Sequence, residues 1–140
     1  MKRFALLVTA FLALVGTARA GGSFQPVTIS MTAGAGGFYT STTGINVEQA
    51  SGDFSICGRV SGAGTAKLEY MTSNDDVTYR VPQNDTDIIS NFTGLSGPGS
   101  DGYFCASFGP DYCHYLKLKL SETASSNPVT LTGTLLIEKR

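Results

Sequence analysis

The sequence predicts an all-β domain, a single β-sandwich of jelly-roll or Greek-key type with about eight strands. Three observations lead there. Apolar residues alternate at period two in one stretch after another; clusters of Gly, Ser, Asn, Asp and Pro separate those stretches; and helical periodicity is absent after residue 20. Charged residues make up only 15% of the chain, and Gly contributes 17 residues, a composition that approaches that of disordered chains. The regular alternation argues for a packed sheet protein instead.

The chain begins Met1-Lys2-Arg3, continues with an apolar run over 4–15, and reaches Ala18-Arg19-Ala20. A positive start, a short apolar run and an Ala-x-Ala site are the parts of an export signal peptide, which assigns 1–20 to targeting and 21–140 to one domain. The apolar run is shorter than the roughly twenty residues that span a bilayer, so no membrane span is expected in the mature chain. Gly21 rather than Cys follows the cut, which argues against a lipoprotein anchor.

Alternation places strands at 27–32, 38–48, 54–61, 66–72, 78–81, 102–108, 114–122 and 129–138. Turn-forming sequences separate them, among them Gly34-Ala35-Gly36-Gly37, Ser73-Asn74-Asp75-Asp76 and Ser125-Ser126-Asn127-Pro128. Neighbouring side chains on a strand point to opposite faces, so parity separates core from surface. Leu116, Leu118 and Leu120 fall on one face, with Tyr115, Lys117 and Lys119 on the other. Phe54, Ile56 and Val60 are inner, leaving Cys57 and Arg59 outside; Phe104, Ala106 and Phe108 are inner, leaving Tyr103 and Cys105 outside.

Two stretches resemble the discoidin or galactose-binding-like jelly roll, a pattern also seen in phage virion and secreted bacterial surface proteins. Lys67-Leu68-Glu69-Tyr70 with Ser73-Asn74-Asp75-Asp76 and Tyr79 resembles that family's strand, acidic turn and aromatic; 115–120 resembles its late strand of alternating aliphatic and basic residues. Asp76 stands where a turn Gly is usual and Tyr79 where a Trp is usual. What the resemblance implies is a binding or assembly module, without a matched ligand loop.

Removing 1–20 takes away three basic residues and no acid, leaving seven basic against eleven acidic residues and moving the net charge from −1 to −4. A mildly acidic surface without a basic stripe excludes nucleic acid as a partner. Export makes disulfides reasonable, and with three cysteines at least one is unpaired in a monomer. Cys105 and Cys113 flank the turn at 108–111, so a hairpin would bring them together and leave Cys57 unpaired. A bridge from Cys57 to either of the others is the alternative.

His114, the single histidine, is the residue that a small secreted hydrolase would have to use, and no Gly-x-Ser-x-Gly elbow accompanies it. The expectation is therefore no enzyme and no cofactor. Calcium is the one ion that the acidic turns could suit, through Asp75, Asp76, Asp85 and Asp87. Tyr103, Tyr112 and Tyr115 cluster in sequence around one turn and form the expected binding surface. Asn84 and Asn91 head N-glycosylation patterns, read as chance matches beside a signal peptide of bacterial type. The functional expectation is a secreted, non-enzymatic module acting at or outside the cell surface. Its partner would be a glycan, a cell-surface component, or copies of itself in a filament or layer joined through a terminal edge strand.

Overall fold

A computed structural model describes residues 22–83 and 86–140. The expected signal peptide, Asn84 and the calcium candidate Asp85 lie outside the described residues. Among the described residues nine strands form: β1 (Ser23–Ala33), β2 (Phe38–Thr40), β3 (Ile45–Asn46), β4 (Ala50–Gly62), β5 (Thr65–Ser73), β6 (Asp87–Thr93), β7 (Tyr103–Phe108), β8 (Tyr115–Glu122) and β9 (Val129–Lys139). Among the described residues no helix is long and apolar enough to cross a membrane.

The strands pair antiparallel in a nested series. β1 pairs with β9, β2 and β3 with β8, β4 with β7, and β5 with β6. Wrapping that long hairpin brings β9 beside β4 and β8 beside β5. Two sheets result, ordered β1-β9-β4-β7 and β2-β8-β5-β6, with β3 also on β8. This is jelly-roll order. The resemblance is met at that level, and nothing specific to discoidin modules accompanies it.

Alternation builds the core as parity predicts. Ile29, Met31, Phe54, Ile56, Val60, Leu131, Leu135 and Ile137 of one sheet face Leu68, Tyr70, Leu116, Leu118 and Leu120 of the other, all buried. Phe108 bridges the layers, 5.5 Å from the Phe54 ring and 5.6 Å from that of Tyr70. Where β6 and β7 approach, Phe92 meets Phe104 edge-on at 5.5 Å and closes that side of the sandwich.

Two strand expectations need correction. The expected strand at 78–81 is a loop joined to β5 by a single bridge between Thr72 and Arg80, because Asp75 organises a turn there. Its carboxylate accepts from the Ser73 hydroxyl and from the Val77 and Thr78 N–H groups at 2.7–2.9 Å. The sixth strand comes later, as β6, whose bulged pairing with β5 disturbs the alternation. The expected strand at 38–48 breaks at Ser41-Thr42-Thr43-Gly44 into β2 and β3.

Glu122, at the end of β8, is 4% exposed and ties three segments together. Its carboxylate accepts from the N–H groups of Gly36 at 2.7 Å, Thr65 at 3.1 Å and Ala124 at 2.9 Å. These bonds, that of Gly36 foremost, hold its carboxyl below its ordinary value of 4.5. A depressed folded value means that the folded state binds fewer protons, so the stabilisation is present above the ordinary value and lost as pH falls through the folded one. The urea midpoint is expected to drop as pH falls below 4.5, and to drop less steeply in Glu122→Gln, which starts lower at neutral pH. Equal slopes in wild type and variant would remove this residue from the account.

Candidate functional site

The side of the sandwich opposite the Phe92–Phe104 contact is open. There β1 is the outermost strand of its sheet, while the facing edge of the other sheet is only the short, interrupted β2 and β3. A slot of about 380 Å³ runs between them. Residues 27–31 of β1 line one wall consecutively, as do 41–46 of the β2–β3 segment on the other. Because alternate residues of a strand point to opposite faces, a wall made of consecutive residues is the backbone edge of the strand.

The slot is neutral. Thr28, Ser30, Ser41, Thr42 and Thr43 supply hydroxyls, and the Tyr39 ring, 37% exposed, stands at its border. Gln25 reaches into the same wall, and its Oε1 is buried with no hydrogen-bond partner among the described residues. Such an acceptor is under-satisfied, a state that native proteins rarely tolerate.

The outer wall is held in place from behind. The Ser41 N–H donates to the Leu118 carbonyl at 2.9 Å, and the Leu118 N–H donates to Ser41 Oγ at 3.2 Å, so this residue grips β8 twice. Gly44 rests directly on the Tyr79 hydroxyl and the Asp76 carboxylate, where a Cβ would collide with both. The Tyr79 hydroxyl donates to Asp76. Burial and that bond push the Tyr79 phenol well above its ordinary value, and the Lys117 ammonium lies 4.2 Å from its ring centre. Asp76, expected in an acidic turn, and Tyr79, expected as the aromatic after it, therefore back the slot's wall at Gly44.

The expected site residues lie elsewhere. Cys57 pairs with Cys105, a correction of the expected Cys105–Cys113 bridge, and the free cysteine is Cys113. β7 and β8 do not form a hairpin: they belong to different sheets, and 109–114 crosses between layers. Cys105 instead faces Cys57 in register on the outer surface of β4 and β7. Exposed cysteines joined in this way fit an oxidising compartment. The same crossover separates the tyrosines. Tyr103 lies on the outer face of the disulfide-bearing sheet under the Arg59 guanidinium, 5.3 Å away. Tyr115 lies on the other layer, and Tyr112 in the crossover, so the three form no common surface.

The calcium candidates are engaged otherwise. Asp75 holds its turn, Asp76 the Tyr79 hydroxyl, and Asp87 the Lys67 ammonium at 3.0 Å. Lys67 also reaches Glu69 at 3.1 Å, and Glu69 reaches Lys119 at 3.4 Å, giving a charged ladder across β6, β5 and β8. Among the described residues no three His, Cys, Asp or Glu side chains converge as a metal site.

His114 shares a cavity of about 170 Å³ with Glu48, Asp111 and Cys113. Its Nδ1 lies 3.6 Å from Glu48 Oε1. An imidazole paired with a carboxylate is part of what a hydrolase needs. Burial, and after it Asp111, push the Cys113 thiol beside it up, which disfavours the thiolate that nucleophilic chemistry uses.

No family model and no curated protein sequence matches the chain. Solved structures of low identity are similar, among them three. One is the VP2 subviral particle of infectious bursal disease virus, 12% identical over 97% of this chain and 38% of that one, with a TM-score of 0.49. Another is the CBM22-1 xylan-binding domain of Paenibacillus barcinonensis Xyn10C, 11% identical over 86% of this chain and 97% of that one, at 0.46. The third is PliG, a periplasmic inhibitor of g-type lysozyme from Aeromonas hydrophila, 10% identical over 90% and 93%, at 0.41. This chain thus spans well under half of the viral protein. None of the three bears on the slot.

Proposed function

We propose that this chain is exported through residues 1–20 and works outside the cytoplasm as a non-enzymatic binding module, with the slot along β1 as its site and an extended polypeptide strand as its ligand. The observation that carries this reading is the wall of consecutive residues 27–31, which offers backbone rather than one face of side chains. Strand addition uses such an edge: main-chain hydrogen bonds give affinity, and alternate side chains enter the groove. The other edges are less receptive. β7 has its side of the sandwich closed by Phe104 packed on Phe92 of β6, and β6 is bulged and carries Asp87, whereas β1 has no charged residue in eleven. Charge and bulges are the usual guards against edge pairing.

A second reading takes the hydroxyl lining and the Tyr39 ring as a glycan site. Both are tested by screening the mature chain from Gly21 against displayed peptides and a glycan array, beside Ser30→Arg and Tyr39→Ala variants. Uncharged peptides of alternating apolar pattern are expected to be enriched, and Ser30→Arg to lose them. Glycan signal lost in Tyr39→Ala, without peptide enrichment, moves the site to glycans. Enrichment indifferent to Ser30→Arg removes the slot.

A further inference from the structure

Resting on the strand-capture reading, we infer that the strand taken up in the slot is β1 of a second copy of this chain, giving a two-fold dimer with a sheet continuous across the two molecules. The consecutive lining residues of β1 run from 27 to 31, with Gln25 set apart beyond Pro26, so Ile29 is the centre of the continuous stretch. An antiparallel pairing about that centre sets Ile29 against its own copy, Val27 against Met31 and Thr28 against Ser30. The pairing carries the pattern of β1 across the interface. Val27, Ile29 and Met31 point toward the core in each copy, and the exposed Thr28 and Ser30 point outward. Val27 is only half-buried in the single chain and would be covered.

Charge favours this occupant. β1 reads Ser-Phe-Gln-Pro-Val-Thr-Ile-Ser-Met-Thr-Ala, so a copy laid against itself meets no like charge. The pairing also has a natural end. Pro26 has no N–H to give and falls opposite Thr32, at the limit of the paired stretch. The hydroxyls of 41–43 on the slot's other wall then meet the neighbour's strand. An isologous contact uses the same patch on both subunits and closes at two. Assembly through β1 therefore yields a dimer rather than a filament.

The test uses the mature chain carrying Cys113→Ser, followed by light scattering across a hundredfold concentration range. The expected mass is twice that of the chain at the upper end. Thr28→Cys with Ser30→Cys is expected to form a two-chain disulfide adduct on mild oxidation, because residues directly opposite lie about 5 Å apart. Either cysteine alone is expected to give none, since its own copy sits on the diagonal at about 7–8 Å, too far to bridge. Thr28→Lys with Ser30→Lys, which sets lysines against lysines on the solvent face, is expected to give a folded monomer. A constant monomer mass in the parent chain overturns the proposal, as does a growing polymer or an adduct from either single variant. If the chain is monomeric, hydrogen exchange of 27–31 with a displayed-peptide binder decides the wider reading. Protection by the peptide keeps strand capture with a foreign partner, and no protection removes both.

Discussion

Replacing Cys57 and Cys105 together by serine is expected to lower unfolding stability by about 4 kcal/mol, the loop-entropy value for cysteines 48 residues apart. The bridge joins β4 in the middle of its sheet to β7 at the edge, across directly paired residues. Between them the chain leaves the sheet, builds β5 and β6 in the opposite layer, and returns. In the unfolded chain that excursion is free to expand; the bridge forbids it, and its removal restores that freedom. Because both cysteines lie on the outer face, serine leaves no hole in the core. The folded state should keep its far-ultraviolet signature while its urea midpoint falls. Unfolding with and without reductant measures the effect, and Cys113→Ser separates it from any role of the free thiol. A loss below about 1 kcal/mol would mean that the reduced, unfolded chain already holds β4 near β7, contrary to the chain-entropy account.

Leu118→Ala is expected to cost about 2–5 kcal/mol, the range for truncating a fully buried leucine. Leu118 has no exposed surface and sits midway along β8, paired with Tyr70 of β5. Its backbone also carries both bonds to Ser41. The cavity left behind lies beneath the strand that anchors the slot's outer wall, so under the proposed strand capture the variant is expected to weaken binding at the slot as well as stability. Urea unfolding gives the first quantity. Binding measured well below the variant's unfolding midpoint gives the second. A cost under about 1 kcal/mol would show that the two sheets can collapse into the space, which the close packing of interiors opposes.

Local pattern made most of the sandwich legible. Parity assigned the inner and outer faces at 54–60, 104–108 and 116–120, and those faces stand as read. Parity also put Cys57 and Cys105 both outside, which was half of the disulfide. The other half is the register of two strands far apart in sequence, and no local pattern encodes it. Proximity around 108–111 suggested a hairpin, whereas a jelly roll uses that segment to change layers. The slot was hidden for a related reason. Read as one strand, 38–48 would have closed the sandwich beside β1. Ser41-Thr42-Thr43-Gly44 could be read as a continuation by β-propensity, since Thr suits strands. What breaks the strand is the seat of Gly44 on Tyr79 and Asp76, a contact between segments some thirty residues apart. β6 escaped because its bulges shift the alternation out of phase.

The nested order of pairing also acts as a clock. The innermost partners, β5 and β6, are near in sequence and close a short loop; the outermost, β1 and β9, meet with Ser23 against Lys139. Long closures are paid for in entropy before their contacts return anything, so such topologies fold slowly, in milliseconds to seconds. β1 cannot dock until β9 exists, because it pairs with β9 from Ser23 to Ala33. The free edge of β1 is thus completed only once β9, its partner in the outermost pair of the series, is in place. Until then β1 has no sheet behind it, so the slot takes its shape last.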